Sequence, residues 1–227
     1  MKGLFSALRI SMKISDIEVS YINHCGDDLS VVNAARVSFH KESTEFKDGD
    51  VKLINYLAKH KHFSPFNHAF LSFRVKAPIF VARQLVKHKF MPWNEVSRRY
   101  VDEEPEFYVP QLRLRAENVK QGSSDEVVSN QTNNADYEIF LPTYLRYSLN
   151  VYNTLLDDGV APEVARAFLP QNMMTEWVWS GTLSAFADML RLRLDPHTQY
   201  ESRIVANKIY DRVEPLFPVS IKALLEN

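Results

Sequence analysis

The chain is predicted to fold as one α+β domain spanning residues 1–227, with long helices packed on a small, mostly antiparallel sheet. Three features predict this. Apolar and polar residues alternate at 17–21, 71–76 and 176–179, the period of half-buried strands. Longer stretches carry apolar residues three and four apart, the period of amphipathic helices. No internal repeat divides the 227 residues, which are few for two domains yet enough to bury a core without disulfides.

The elements follow in order. Met12-Lys13-Ile14 starts a strand and leaves residues 1–11 as a loose extension, its apolar stretch too short and interrupted by Arg9 for a signal peptide. Ile17, Val19 and Tyr21 mark a second strand. Asp27-Asp28 offers a helix N-cap before Leu29, Val32 and Ala35. Leu53, Ile54 and Leu57 form the inward side of a helix over 51–60, whose C-terminal end carries His60, Lys61 and His62, where cations are favoured. Leu71, Phe73 and Val75 form a strand that Pro78 ends, and Pro78 can open the next helix, 79–87. That helix is apolar on most sides, yet Arg83, Gln84 and Lys87 share one face. Residues 118–135 read as a polar surface loop. Leu141, Tyr144, Leu145, Ser148, Tyr152 and Leu155 line one side of a long helix that ends at Gly159. A short helix runs from Pro162 to Phe168. Trp177 and Trp179 lie in a strand, and from Leu183 the chain is largely helical, with a break at Asp195-Pro196.

Composition excludes several classes. The net charge is -1, so any anion site must be a local cluster of cations. No apolar run approaches the roughly 20 residues that span a bilayer. The single cysteine, Cys25, permits no intramolecular disulfide and fits a reducing, cytoplasmic setting; it reads as an inert structural thiol, the alternative being a reactive one. His62, His68 and His88 match no common zinc spacing.

The most informative segment is Lys87-His88-Lys89-Phe90-Met91-Pro92-Trp93-Asn94-Glu95-Val96-Ser97-Arg98-Arg99-Tyr100. Its cations end an apolar helix, and Pro92 then forces a turn. Arginines grip phosphate with paired N–H donors, while Ser97 and Glu95 can bind a base or sugar, so the segment suits a phosphorylated heterocycle. The alternative is a solvated basic surface run. Ser97 has no base partner at a recognisable spacing, which favours hydrogen bonding over nucleophilic attack. Arg193 shares a helix face with Leu183, Phe186, Met189 and Leu190, and a guanidinium on an apolar stripe needs a partner. That partner is either a carboxylate such as Asp195 or a bound ligand.

These residues carry a resemblance. Lys87-His88-Lys89, seven residues and then Ser97, followed by Arg99-Tyr100, resembles the Arg-His-Arg-x7-Ser signature of flavin-dependent thymidylate synthases, with lysines in place of both arginines. Leu29 to Phe39 is similar to that family's N-terminal helix and flavin-contacting serine. His62-Phe63-Ser64-Pro65-Phe66-Asn67-His68 resembles its His-x-Ser/Thr-Pro-Phe-x-His turn. Lys76 to Gln84 is similar to the lead-in to the signature, and Arg193-Leu194-Asp195-Pro196-His197-Thr198-Gln199 to its Arg-x-Asp-x-His-x-Gln segment. The matches run from about residue 27 to residue 205.

The resemblance implies FAD-dependent methylation of dUMP to dTMP, with methylenetetrahydrofolate as one-carbon donor, NADPH as reductant and no cysteine nucleophile. It implies an obligate oligomer, a homotetramer whose active sites are shared between subunits, and neither a nucleic-acid nor a membrane partner. Gln84, Lys87, Glu95, Ser97, Arg98 (through its backbone), Arg99, Arg166 and Arg193 would surround dUMP, with Arg193 catalytic. Ser38, Ser64, Asn67, Lys87, His88, Lys89, Glu95, Thr182, Ser184 and Asp188 would hold FAD; no residue is assigned to a metal. Two rival readings are a non-catalytic nucleotide-binding module and a flavin-binding relative whose lysines have abolished catalysis.

Overall fold

The computed structural model describes residues 12–100, 103–117, 122–128 and 137–227. The predicted extension at 1–11 lies outside the described residues, as do 118–121 and 129–135 of the predicted loop.

The chain runs β1 (Lys13–Ile14), β2 (Glu18–Cys25), α1 (Asp28–Arg36), α2 (Asp48–Lys59), β3 (Phe70–Pro78), α3 (Ile79–Leu85), β4 (Trp93–Glu95), β5 (Glu106–Phe107), β6 (Arg113–Arg115), β7 (Ser123–Val127), α4 (Tyr137–Asp157), α5 (Pro162–Ala165), β8 (Met174–Thr182), α6 (Leu183–Arg193), α7 (Tyr200–Val213) and α8 (Ser220–Glu226). The central sheet has four antiparallel strands in the order β2-β3-β8-β4. Thus the predicted α+β class holds. β1 and β5 form a short parallel pair beside it.

Register explains the core. Phe73 faces Trp179, and Val75 faces Trp177 across β3 and β8, so one sheet face is aromatic and fully buried. Trp93 stacks on Trp177 with ring centroids 4.3 Å apart. Phe186 of α6 meets both Phe73 and Trp179, and Val205 and Ile209 of α7 join the same core. The alternate residues of the same strands are polar: Ser72 bonds Ser180 and Arg74 pairs with Glu176. A smaller cluster, with Leu145, Leu149 and Tyr152 of α4 against Phe107 and Met173, seats the long helix.

Three differences from the sequence reading have physical causes. The strand predicted as half-buried, β2, is the sheet's edge, so Ile17 is buried whereas Tyr21 and Ile22 stay exposed. Residues 93–95 continue past the Pro92 turn as β4, because their backbone pairs with β8. Within the predicted polar loop, residues 123–127 form a strand paired with β6, making an arm. Gly122, at φ +101, brings the arm's backbone against the carbonyl of His197, where a Cβ would sit 3.0 Å away. Arg113 holds the arm from within: it pairs with Asp125 and lies over the Tyr200 ring at 4.4 Å.

Candidate active site

A cavity of about 1090 Å³ opens between the end of α6, the start of α7 and the β6–β7 arm. Gln84 of α3 and Arg193 of α6 both line it. The apolar residues Leu183, Phe186, Met189 and Leu190 are buried and anchor α6, so its last residue is delivered to the cavity on a fixed stem. Arg193 Nε donates to His88 Nε2 at 3.0 Å, and a terminal nitrogen reaches the Gln84 carbonyl at 3.4 Å. Among the described residues no carboxylate pairs with it. Asp195, the partner that a structural salt bridge would need, instead accepts from the backbone N–H of His197 at 2.7 Å. Burial lowers the Arg193 pKa from its usual value.

Burial first, and then the Arg193 charge, pull the His88 pKa down to about 4. The ring is therefore neutral at pH 7. Accepting at Nε2 leaves its proton on Nδ1. The Gln84 amide is also fixed: Oε1 accepts from Ser202 at 3.0 Å, and Nε2 donates to Gln199 Oε1. One N–H of that amide stays available. Arg193 and Gln84 thus offer donors to whatever enters.

Glu95, Arg98 and Arg166 line a second cavity of about 570 Å³. Both Glu95 oxygens are engaged, by Thr175 at 2.7 Å and Trp93 Nε1 at 3.0 Å. Lys76, in the same wall, is neutralised by Glu106 at 2.7 Å. The Arg98 side chain faces this space and donates to the Glu103 carbonyl. Arg166 makes no ion pair among the described residues. Ser97 accepts from Arg99 Nε at 3.3 Å, and Arg99 lies 5.1 Å over the Tyr100 ring. No lining residue is common to the two cavities. Of the predicted substrate residues, Gln84 and Arg193 line the first cavity and Glu95, Arg98 and Arg166 the second, while Lys87, Ser97 and Arg99 line neither.

A third group gathers at the start of α6. Thr182 caps the helix, sits 3.3 Å from the Ser184 hydroxyl, and Ser184 donates to Asn67. Asn67 and Ser64 share the turn at 64–68. Asp188 lies one turn further along α6 and pairs with Arg191 at 3.0 Å. Ser38, Lys87 and Lys89 are exposed, and Phe90, which follows them, is 88% exposed with φ 61. His88 is separated in role from its flanking lysines by its bond to Arg193.

Sequence reasoning missed Gln199, Arg113 and Glu201, which line the first cavity, and Ser202, which donates to the Gln84 amide. Glu201 is 4% exposed, and burial and then the Glu201 charge push the Tyr108 pKa up to about 12. Gln199 was within reach, since it ends the quoted Arg-x-Asp-x-His-x-Gln segment. The others depend on contacts between residues more than a hundred positions apart, such as Ser202 with Gln84, or on the arm, and no local signal announces them. Among the described residues no group of three or more His, Cys, Asp or Glu could hold a metal ion.

A family model described as thymidylate synthase complementing protein matches residues 20–219. The flavin-dependent thymidylate synthase of Kosmotoga olearia is 37% identical over 217 residues, covering 94% of each chain. That of Thermus thermophilus is 38% identical over 210 residues, covering 92% of this chain and 76% of the relative. Two crystal structures of the UMP/dUMP methylase PolB from Streptomyces cacaoi, bound with 5-Br dUMP or 5-Br UMP, are also similar. They share 32% identity and TM-scores of 0.83 and 0.78, cover 95% of this chain, and are themselves covered to 97% and 96%.

Proposed function

Because the chain belongs to the family of flavin-dependent thymidylate synthases, we propose that it converts dUMP to dTMP by reductive methylation at C5, with FAD as cofactor, methylenetetrahydrofolate as one-carbon donor and NADPH as reductant. The observation that carries this is Arg193, a guanidinium held by His88 and the Gln84 carbonyl, unpaired with any described carboxylate, at the wall of a large cavity. A pyrimidine that loses its N3 proton presents acceptors along that edge. Arg193 and Gln84 present donors, so they favour the charged ring over the neutral one, and such fixed donors act most strongly where charge develops. The edge then becomes more electron-rich and C5 more nucleophilic.

The hydroxyl and amide groups of Ser64, Asn67, Thr182 and Ser184, beside the N-terminus of α6, fit a flavin dinucleotide: they offer neutral hydrogen bonds and a helix start suited to phosphate. Lys87 and Lys89, both exposed, would add positive charge for its phosphates. FAD bound there and reduced by NADPH would supply the hydride that the reaction needs; the protein's task is placement and electrostatics. Cys25 takes no part.

We read the two cavities as halves of one substrate site that meet between copies of the chain in a homotetramer. Arg166, Arg98, Arg99 and Ser97 on one copy would take the phosphate and sugar of a nucleotide whose base lies against Arg193 and Gln84 of another. The abundance of exposed aromatic and aliphatic side chains, including Phe39, Phe90, Tyr100 and Phe168, supports large contacts between copies.

The test begins with purified protein. A flavin spectrum that changes on adding dUMP is expected, together with methylation of dUMP in an assay that also offers UMP. A colourless protein would favour the nucleotide-binding module, and flavin without methylation would favour an inactive relative. Arg193→Lys should then lose roughly 100-fold in turnover, about 2.7 kcal/mol of barrier, while flavin binding and oligomer size change little. An unchanged turnover would remove Arg193 from the chemistry.

A further inference from the structure

We propose that His88 is a positioning residue for Arg193: its Nε2 accepts a hydrogen bond from the Arg193 Nε–H and so sets the plane and direction in which the guanidinium meets the substrate. The inference rests on the reading of Arg193 as the group that faces the pyrimidine.

A guanidinium is planar, with Nε on one side and two terminal nitrogens on the other. Binding Nε at 3.0 Å, with the Gln84 carbonyl touching a terminal nitrogen at 3.4 Å, leaves the remaining N–H groups to the cavity. A carboxylate at this place would hold Arg193 more tightly but would compensate its charge, weakening it toward an anionic ring. A neutral imidazole orients the cation and leaves the charge for the ligand. That choice needs the ring to stay unprotonated, and the surroundings enforce it. Arg193 from α6 and the Trp179 ring from β8, 6.3 Å away, face His88, and Lys87 and Lys89 flank it in the chain. Every charged group among these is a cation, and burial disfavours the imidazolium further. The acceptor at Nε2 also requires the Nδ1–H tautomer, the less usual one for a free imidazole ring.

Three variants of the flavin-loaded enzyme test this. Glutamine can place an oxygen near the Nε2 position; asparagine is too short. His88→Asn should lower turnover about tenfold or more, the equivalent of one lost hydrogen bond to a charged group, with dUMP affinity and bound flavin within about threefold of the parent. His88→Gln should stay within about threefold in turnover. The double variant His88→Asn/Arg193→Lys should be no slower than Arg193→Lys alone, because both act through one guanidinium. Nitrogen NMR on histidine-labelled parent enzyme, with the His88 signal identified by its loss in His88→Gln, should show a neutral Nδ1–H ring at pH 6.

The possible failures are distinct. If Arg193→Lys is as active as the parent, the reading of Arg193 is wrong and the inference goes with it. If Arg193→Lys is slow but His88→Asn is fast, or the two losses add in the double variant, Arg193 keeps its role and His88 does not position it. An Nε2–H or charged ring in the NMR spectrum overturns the proposal even if the variants fold poorly.

Discussion

Cys25 ends β2, is exposed, and lines neither cavity. A mechanism that used it would need the thiol at the substrate, so Cys25→Ala should keep full dUMP methylation. Loss of turnover with flavin and fold intact would restore a thiol mechanism. His88 makes a different kind of statement, about pH. Its folded-state pKa of about 4 lies below the ordinary 6.5, so the unfolded chain binds the proton first. The neutral ring therefore supports the fold fully above pH 6.5, and that support drains away as pH falls toward 4. Urea unfolding at pH 7 and pH 5 should show a loss of stability that is smaller in His88→Gln than in the parent. Equal losses would mean that His88 is not held neutral. The Cys25 prediction already followed from the sequence, where no site motif includes the thiol; the His88 argument did not, because the sequence placed His88 beside lysines and showed nothing of the arginine that arrives from residue 193.

Asp27 and Asp28 show how adjacent identical residues acquire different tasks once elements pack. Asp27 caps its own helix α1, accepting from the Ser30 backbone at 2.7 Å. Asp28 is buried and caps α8 instead, accepting from the backbone of Val219 at 2.8 Å and of Ser220 at 2.9 Å. The sequence announced a cap at this dipeptide but could not announce the second helix, which lies at the other end of the chain. Two hydrogen bonds to a buried carboxylate make Asp28→Ala costly, by about 2–3 kcal/mol. A clear fall in melting temperature is expected, with turnover per folded enzyme changed far less, since no residue of α8 lines either cavity and its one tie to the first is the Leu224 carbonyl on Arg191. A melting temperature equal to the parent's would show that α8 docks by its apolar face alone.

At the scale of the whole molecule, the division of the substrate residues between two cavities has a direct consequence. If the halves meet between copies, an enzyme lacking Arg193 and one lacking Arg166 are defective in opposite halves of each site. Mixing Arg193→Ala and Arg166→Ala subunits by co-expression should regain a substantial share of turnover, because some sites then receive an intact half from each. Mixtures no more active than either variant alone would mean that each site is built within one chain. Light scattering on the same preparations should report a tetramer.

The local patterns of the chain determined more than the class of fold. Alternation at Phe73, Val75, Trp177 and Trp179 set the buried sheet face, since side chains of a strand point to opposite sides whatever they pack against. The spacing of Leu183, Phe186, Met189 and Leu190 made Arg193 conspicuous before any partner was visible, since helical geometry alone puts them on one face. The motifs around residues 62–68, 87–100 and 193–199 singled out the chemistry-bearing side chains because cations, histidines and hydroxyls gather there at the spacings of the family's signatures. What tertiary structure decided was which of them meet. It joined Arg193 to His88, turned Asp195 away to His197, folded an arm from a polar stretch onto the cavity, and kept Arg166 apart from Arg193. Those outcomes depend on competition among partners distant in the chain, where burial and geometry choose a single acceptor for each donor, and no local period encodes that choice.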